Sequence, residues 1–260
     1  MCKILNLLIQ SVADAGLSGT VYTGFHILTF VGVFILAVWY GKKLKMSAIQ
    51  SIATVVIVYP LADFWKRVLY WIESGFQTFG GENNVRLFIY VPLISFIVCK
   101  LFRIKWKKMC DFLAPCMVLT QGIGHFGCIF PGCCAGYPSS WGLYNIREQQ
   151  ILFPIQLLEA ITAILITVFL VYRSKKREYA VDGLQYPIML LQFGLTRFIW
   201  EFFRNNEKVW MGCSSLAFHA LFAFVIGVVA YIIVKRKNEE KIQTNSLEIS
   251  KEAHHESGTM

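Results

Sequence analysis

Charge is scarce in this sequence. Of its 260 residues only 16% are Asp, Glu, Lys or Arg, while 56% are hydrophobic and 15% aromatic, and the mean hydropathy is +0.53. That shortage excludes a single soluble core, which would leave too much apolar surface in water, and the chain reads as an integral membrane protein. Other absences narrow the reading further. The first 20 residues lack a signal-peptide cleavage pattern. There is no tandem repeat, no inverted repeat and no span broken near its centre, which argues against a transporter. The eight cysteines lack paired C-x2-C spacing and the histidines show no matching spacing, so neither a metal site nor a cofactor is expected. The net charge of +9 lies in short clusters between apolar runs rather than along one face, so it reads as a topology signal and not as a nucleic-acid surface.

What is there is a series of apolar runs. Residues 1–20, broken by Asp14 and Gly16, read as an interfacial amphipathic segment. Spans are expected at about 21–40, 48–65, 86–101, from near 111 to the stretch GHFGCIFPGCCAG, and at about 154–172, 183–203 and 215–234. A polar stretch containing GGENN separates the second from the third. Basic clusters follow spans one, three, five and seven: Lys42, Lys43 and Lys45; Arg103, Lys105, Lys107 and Lys108; Arg173, Lys175, Lys176 and Arg177; and Lys235, Arg236 and Lys237. Counting them puts the N-terminus outside and the C-terminus in the cytoplasm. The expected architecture is therefore all-α and polytopic: seven transmembrane helices over 21–235, followed by a disordered cytoplasmic tail over 236–260.

An ionisable group inside a span costs a few kcal/mol or more. Arg197, Glu201 and Arg204, at offsets of four and seven, share one face of the sixth span. They lie in its outer third, level with His125, Cys128, Cys133 and Cys134 at the end of the fourth span and with Gln156 and Glu159 at the start of the fifth. Snorkelling explains Arg204 easily and Arg197 less well. An anion site explains both, because a guanidinium fork binds a phosphodiester at two points and keeps its charge in a dry environment. Glu201 would orient Arg197, and His125 would act as base or phosphate partner. Pro131 and Gly132 stop the fourth helix, and Gly132 and Gly136 shape a turn whose amides face an anion. Cys213 is expected at the same outer level. For the thiols, buried packing, an external disulfide or redox chemistry all stay open.

Three segments resemble the bacterial prolipoprotein diacylglyceryl transferases. DFLAPCMVLTQGIGHFGCIFPGCCAGYP, from Asp111 to Pro138, is similar without gaps to that family's D-x-x-A-P segment followed by G-R-x-G-N-F-x-N-G-E-x-x-G. FPIQLLEA, Phe153 to Ala160, resembles H-P-x-Q-L-Y-E-A, and FGLTRFIWEFFR, Phe193 to Arg204, resembles Y-G-x-x-R-F-x-x-E-F-x-R. Here His125 stands where the signature has arginine, Cys128 where it has asparagine, Cys133 where it has glutamate, Phe153 where a histidine and Phe193 where a tyrosine would be. FIYVPL, Phe88 to Leu93, occupies the place of an H-G-G segment. The chain looks like a member of a G-C-C-x-G branch.

The resemblance implies a seven-helix enzyme of the bacterial cytoplasmic membrane. Such an enzyme moves the diacylglyceryl group of phosphatidylglycerol to the cysteine of a membrane-anchored prelipoprotein and releases glycerol phosphate. It implies catalytic roles for Arg197 and its partner acid Glu201, and phospholipid contacts from Arg204, Gln156 and Glu159; the residue reading adds His125 as a catalytic candidate and Gly132 and Gly136 as phospholipid contacts. Two alternatives follow from the departures: thiol chemistry at Cys128, Cys133 and Cys134, or a non-catalytic lipid- or partner-binding membrane protein.

Overall fold

Each apolar run has only one way to satisfy its backbone inside a lipid phase, which is to close its own hydrogen bonds as a helix. The computed structural model describes residues 2–77, 86–209 and 212–257, and GGENN lies outside them. Among the described residues there are eight helices: α1 (Cys2–Asp14), α2 (Ser18–Lys43), α3 (Ala48–Glu73), α4 (Leu87–Phe102), α5 (Trp106–Cys128), α6 (Ile155–Lys176), α7 (Gln185–Glu201) and α8 (Ser215–Ser257). Among the described residues α2, α3, α6 and α8 are long and apolar enough to cross a membrane, and α4 is apolar but shorter. Local chemistry marks the starts. At α3, Ser47 Oγ accepts from the Gln50 amide at 3.1 Å while Gln50 Oε1 accepts from the Ser47 amide at 3.0 Å, a reciprocal cap.

α5 is the central post. From Met109 to Val118 every residue is buried, and the helix packs against α2, α6 and α7. The main core joins Tyr40, Phe88, Phe112, Met189 and Phe193. By contrast Ile35 on α2, Leu165 on α6 and Phe222 on α8 are exposed, an outward apolar surface that suits lipid and would associate in water.

The two ends of the bundle differ. At one end Asp111, buried at the start of α5, accepts from the Gly183 amide at 2.8 Å and the Gln185 amide at 3.0 Å. Its carboxylate thus caps the N-terminus of α7, where amide donors and the helix dipole favour negative charge. Asp182 meets Arg173 and Arg177, each at 2.7 Å, and Lys107 reaches Asn238 at 3.2 Å. The basic clusters therefore gather at this end. Asp111→Asn turns an accepting oxygen into a donor facing an amide, and it should cost about 1–3 kcal/mol, read as a lower unfolding midpoint in detergent.

Two expectations need correction. The molecule is not all-α: β1 (Pro138–Asn145) and β2 (Gln150–Leu152) form an antiparallel hairpin, with Leu143 opposite Leu152 and Asn145 opposite Gln150. The segment is too polar to span, and its backbone groups pair across the hairpin instead. α1 packs on it. Asn6 donates to the Gly142 carbonyl at 3.2 Å and accepts from the Tyr144 amide at 2.9 Å, while Ile9 joins Ile129, Phe130 and Leu143 in a second core. The second correction concerns residues 236–257, expected to be disordered, which continue α8. Their Glu, Lys, Gln and Leu are good helix formers, and extending a helix already nucleated costs little.

Candidate active site

The last turn of α5, the first turns of α6 and the last turn of α7 meet at the end of the bundle opposite Asp111. Glu159 on α6 is the hub. Its Oε1 accepts from Arg197 and its Oε2 from Arg204, and His125 Nε2 lies 3.4 Å from Oε2. Glu201 forms the second anionic centre: its Oε2 is 3.3 Å from Arg197 Nη2 and 3.8 Å from Arg204 Nε, and its Oε1 accepts from Asn206 and, at 2.8 Å, from Ser214 Oγ. Neither arginine nor either glutamate has more than 9% of its side chain exposed.

Two arginines and two glutamates balance formally, which is how so much charge is tolerated out of water. The hydrogen bonds do not balance. Arg197 Nε and Arg204 Nε are buried and find no acceptor among the described residues. An unpaired buried donor costs about 1–3 kcal/mol; Arg204 Nε at least faces the equally unpartnered Glu201 Oε2 at 3.8 Å, so Arg197 Nε is the N–H group ready for another anion. A cleft lies beside Arg197, lined by Gln121, His125, Thr162, Thr196, Arg197 and Trp200.

The turn over this cluster is tied down by backbone pairing. The Tyr137 amide donates to the Phe203 carbonyl at 3.2 Å and the Asn205 amide to the Ala135 carbonyl at 3.1 Å, while Gly136 pairs with Arg204 as an isolated bridge. A Cβ at Gly136 would sit 2.6 Å from the Phe153 carbonyl oxygen and 3.0 Å from that of Phe203. Only glycine lets the three segments approach so closely. Gly136→Ala should therefore push Arg204 away from Glu159 and lower both stability and activity, by about 2–3 kcal/mol in an unfolding measurement. Gly132, at φ +67°, turns the chain out of α5, and its carbonyl accepts from buried Asn145 Nδ2 at 2.9 Å.

Beneath the same turn lie the thiols. Cys128 closes α5, and Cys133 and Cys134 follow in the turn; all three are free, as is Cys213. A ring nitrogen of His125 and the sulfurs of Cys128 and Cys134 lie within 4.8 Å of one another. Cys133 lies outside that group, its Sγ donating to the Cys128 carbonyl oxygen at 3.7 Å. Cys213 precedes α8, outside this group of ligand atoms.

Arg197, Glu201, Arg204, Glu159 and His125, expected at one level, form one network: Glu159 meets His125 and both arginines, and Glu201 meets both arginines. Their parts differ from the sequence reading. Glu159, read there as a lipid contact, spends its carboxylate on both arginines. Gln156, read likewise, donates from Nε2 to the Cys133 carbonyl at 2.8 Å and so braces the turn. Ser214, Asn206 and Asn145 were not anticipated. Only the serine and asparagines' ability to cap and turn could have pointed to them. Two apolar departures from the family pattern touch one another, Phe88 stacking on Phe193 at 4.0 Å, and a third, Phe153, stacks on Phe203 at 5.0 Å between ring centres.

Residues 52–234 match the family model described as prolipoprotein diacylglyceryl transferase. Three curated relatives carry the name phosphatidylglycerol–prolipoprotein diacylglyceryl transferase. The one numbered 2 in Clostridium perfringens (strain 13 / Type A) is 27% identical over 207 residues, 75% of this chain and 79% of that protein. That of Clostridium tetani (strain Massachusetts / E88) is 28% identical over 174 residues, 62% and 65% of the two chains. That of Finegoldia magna (strain ATCC 29328 / DSM 20472 / WAL 2508) is 26% identical over 235 residues, 84% and 94%.

Proposed function

This chain belongs to the prolipoprotein diacylglyceryl transferase family, and we propose that it moves the diacylglyceryl group of a phosphatidylglycerol-like lipid to the cysteine thiol of a membrane-anchored prelipoprotein. The observation that carries the reading is the buried pair of guanidinium groups, Arg197 and Arg204 on Glu159, with Arg197 Nε left without an acceptor among the described residues and Arg197 lining a cleft. Arg197 and Arg204 hold the lipid phosphate and offset the charge that grows on it as the glycerol phosphate departs; preorganised charge of this kind contributes most where water is excluded. Glu159 and Glu201 are positioning residues. They keep two like charges side by side and fix the planes of both guanidinium groups. The acceptor thiol arrives on the His125 side of the site, because deprotonation of that thiol is the second requirement of the reaction.

The proposed setting is the bacterial cytoplasmic membrane, with α2 to α8 crossing it, α1 in the outer interface and the C-terminus in the cytoplasm. The gathering of basic residues at the end opposite the site supports that orientation, as does the apolar outer surface. The test uses purified protein in phosphatidylglycerol vesicles carrying diacyl-labelled lipid, with a lipobox peptide as acceptor. Label should enter the cysteine peptide as a stable thioether and stay out of the serine analogue. No label in the cysteine peptide overturns the reading.

A further inference from the structure

His125, Cys128 and Cys134 converge from a helix end and a turn on one point that the phosphate-holding arginines do not use. We propose that these three residues form a site for a thiophilic cation such as Zn2+, and that its open fourth position takes the thiolate of the acceptor cysteine. The fourth ligand rests on the transferase reading above; the three protein ligands do not.

The ligand atoms are already assembled. Tetrahedral zinc with bonds of about 2.0–2.3 Å puts neighbouring ligand atoms roughly 3.5–3.8 Å apart. Separations within 4.8 Å reach that by small side-chain rotations around an ion. Glu159, 3.4 Å from His125 Nε2, stands where a carboxylate orients a ligating histidine. The other ring nitrogen, Nδ1, is buried and has no hydrogen-bond partner among the described residues, so it is free to bind. Cys134 holds φ +57°, a conformation a non-glycine residue adopts only when its surroundings impose it. The ligand atoms that all lie within 4.8 Å of one another belong to these three residues and not to Cys133, so the set stops at three. A closed structural zinc site has four protein ligands, whereas three with one open position is the catalytic arrangement.

The ligands do not form the paired knuckles whose absence argued against a metal in the sequence. The spacing here is different: His125 and Cys128 are three apart on one helix face, and the Gly132 bend returns Cys134 to them. Coordination deprotonates a thiol outright, and the proton goes to solvent. The bound thiolate then attacks the diacylglyceryl carbon. A C–S bond forms, the bond from that carbon to the phosphate oxygen breaks, and the electron pair leaves on glycerol phosphate, with no change of oxidation state. Because His125 and Arg204 share Glu159 Oε2, nucleophile and leaving group sit side by side.

The test loads the purified full-length chain with Co2+ as a spectroscopic stand-in. One ion per chain should bind, with thiolate charge-transfer absorption and the intense d–d bands of tetrahedral coordination. Cys128→Ser and Cys134→Ser should lose those bands, while Cys133→Ser and Cys213→Ser keep them and show that serine in this region leaves the fold intact. A lipobox peptide with cysteine should then shift the spectrum and its serine analogue should not. Chelation should abolish transfer to the peptide, and Zn2+ should restore it. Absence of stoichiometric metal, an unchanged spectrum in the Cys128→Ser/Cys134→Ser double variant, or a Cys128–Cys134 disulfide in the intact mass overturns the site. Transfer that persists under chelation overturns the metal's role and leaves the transferase reading standing. Metal bound at three ligands with no transfer does the reverse.

Discussion

Arg197→Lys should lower diacylglyceryl transfer by about 10²–10³-fold while the protein stays folded. The guanidinium reaches Glu159 through Nη1 and Glu201 through Nη2 and still has Nε without an acceptor among the described residues. An ammonium is a point charge on a flexible stem, and it can neutralise the two glutamates only by giving up the donor that faces the phosphate. Lysine is the informative replacement because it keeps the charge; alanine would leave buried carboxylates unpaired and confuse lost activity with lost stability. Initial rates of label transfer, with gel-filtration and unfolding profiles as controls, give the result. A change below about threefold in the rate, which is under 1 kcal/mol, would mean that the guanidinium plane is not part of phosphate binding.

Glu159→Gln is expected to be the most destabilising single change at the site, by about 3–5 kcal/mol. One carboxylate, 4% exposed, neutralises Arg197 on one oxygen and Arg204 on the other. Replacing it with an amide leaves two guanidinium groups sharing Glu201 alone, the more distant partner at 3.3 and 3.8 Å, and puts an NH2 group against a donor. The unfolding midpoint in detergent should fall accordingly. Adding Arg204→Gln should recover part of the loss, because the second change removes the charge that the first one stranded. Such a double-mutant cycle measures the coupling directly. Independent, additive losses would show that Glu159 and Arg204 are not a pair in the folded protein.

Much of this was legible in the sequence. The apolar runs fixed where the helices lie, and offsets of four and seven put Arg197, Glu201 and Arg204 on one face. The level at which polar residues occur brought α5, α6 and α7 together before any coordinates. Three things were hidden. Glu159 as the hub was not readable, because which carboxylate meets which arginine depends on the relative rotation of α6 and α7, and a one-dimensional pattern gives depth without azimuth. The hairpin was missed because its pairing depends on Gly142, where a Cβ would lie 2.0 Å from the Leu152 carbonyl oxygen, and on the α1 residue Asn6, more than 130 positions away. The helical continuation of α8 was missed because high charge and low hydropathy signal the lack of a core but say nothing against a helix extended from a neighbour.

The central claim is that Arg197 and Arg204 grip a phospholipid phosphate beneath the turn at Gly132 to Gly136. Native mass spectrometry of the purified protein, released from detergent containing equal amounts of phosphatidylglycerol and a zwitterionic phospholipid, tests it most directly. The account predicts one retained phosphatidylglycerol on the wild-type chain and its loss from the Arg197→Lys/Arg204→Lys variant. Equal retention by both proteins, or no lipid on either, would contradict it.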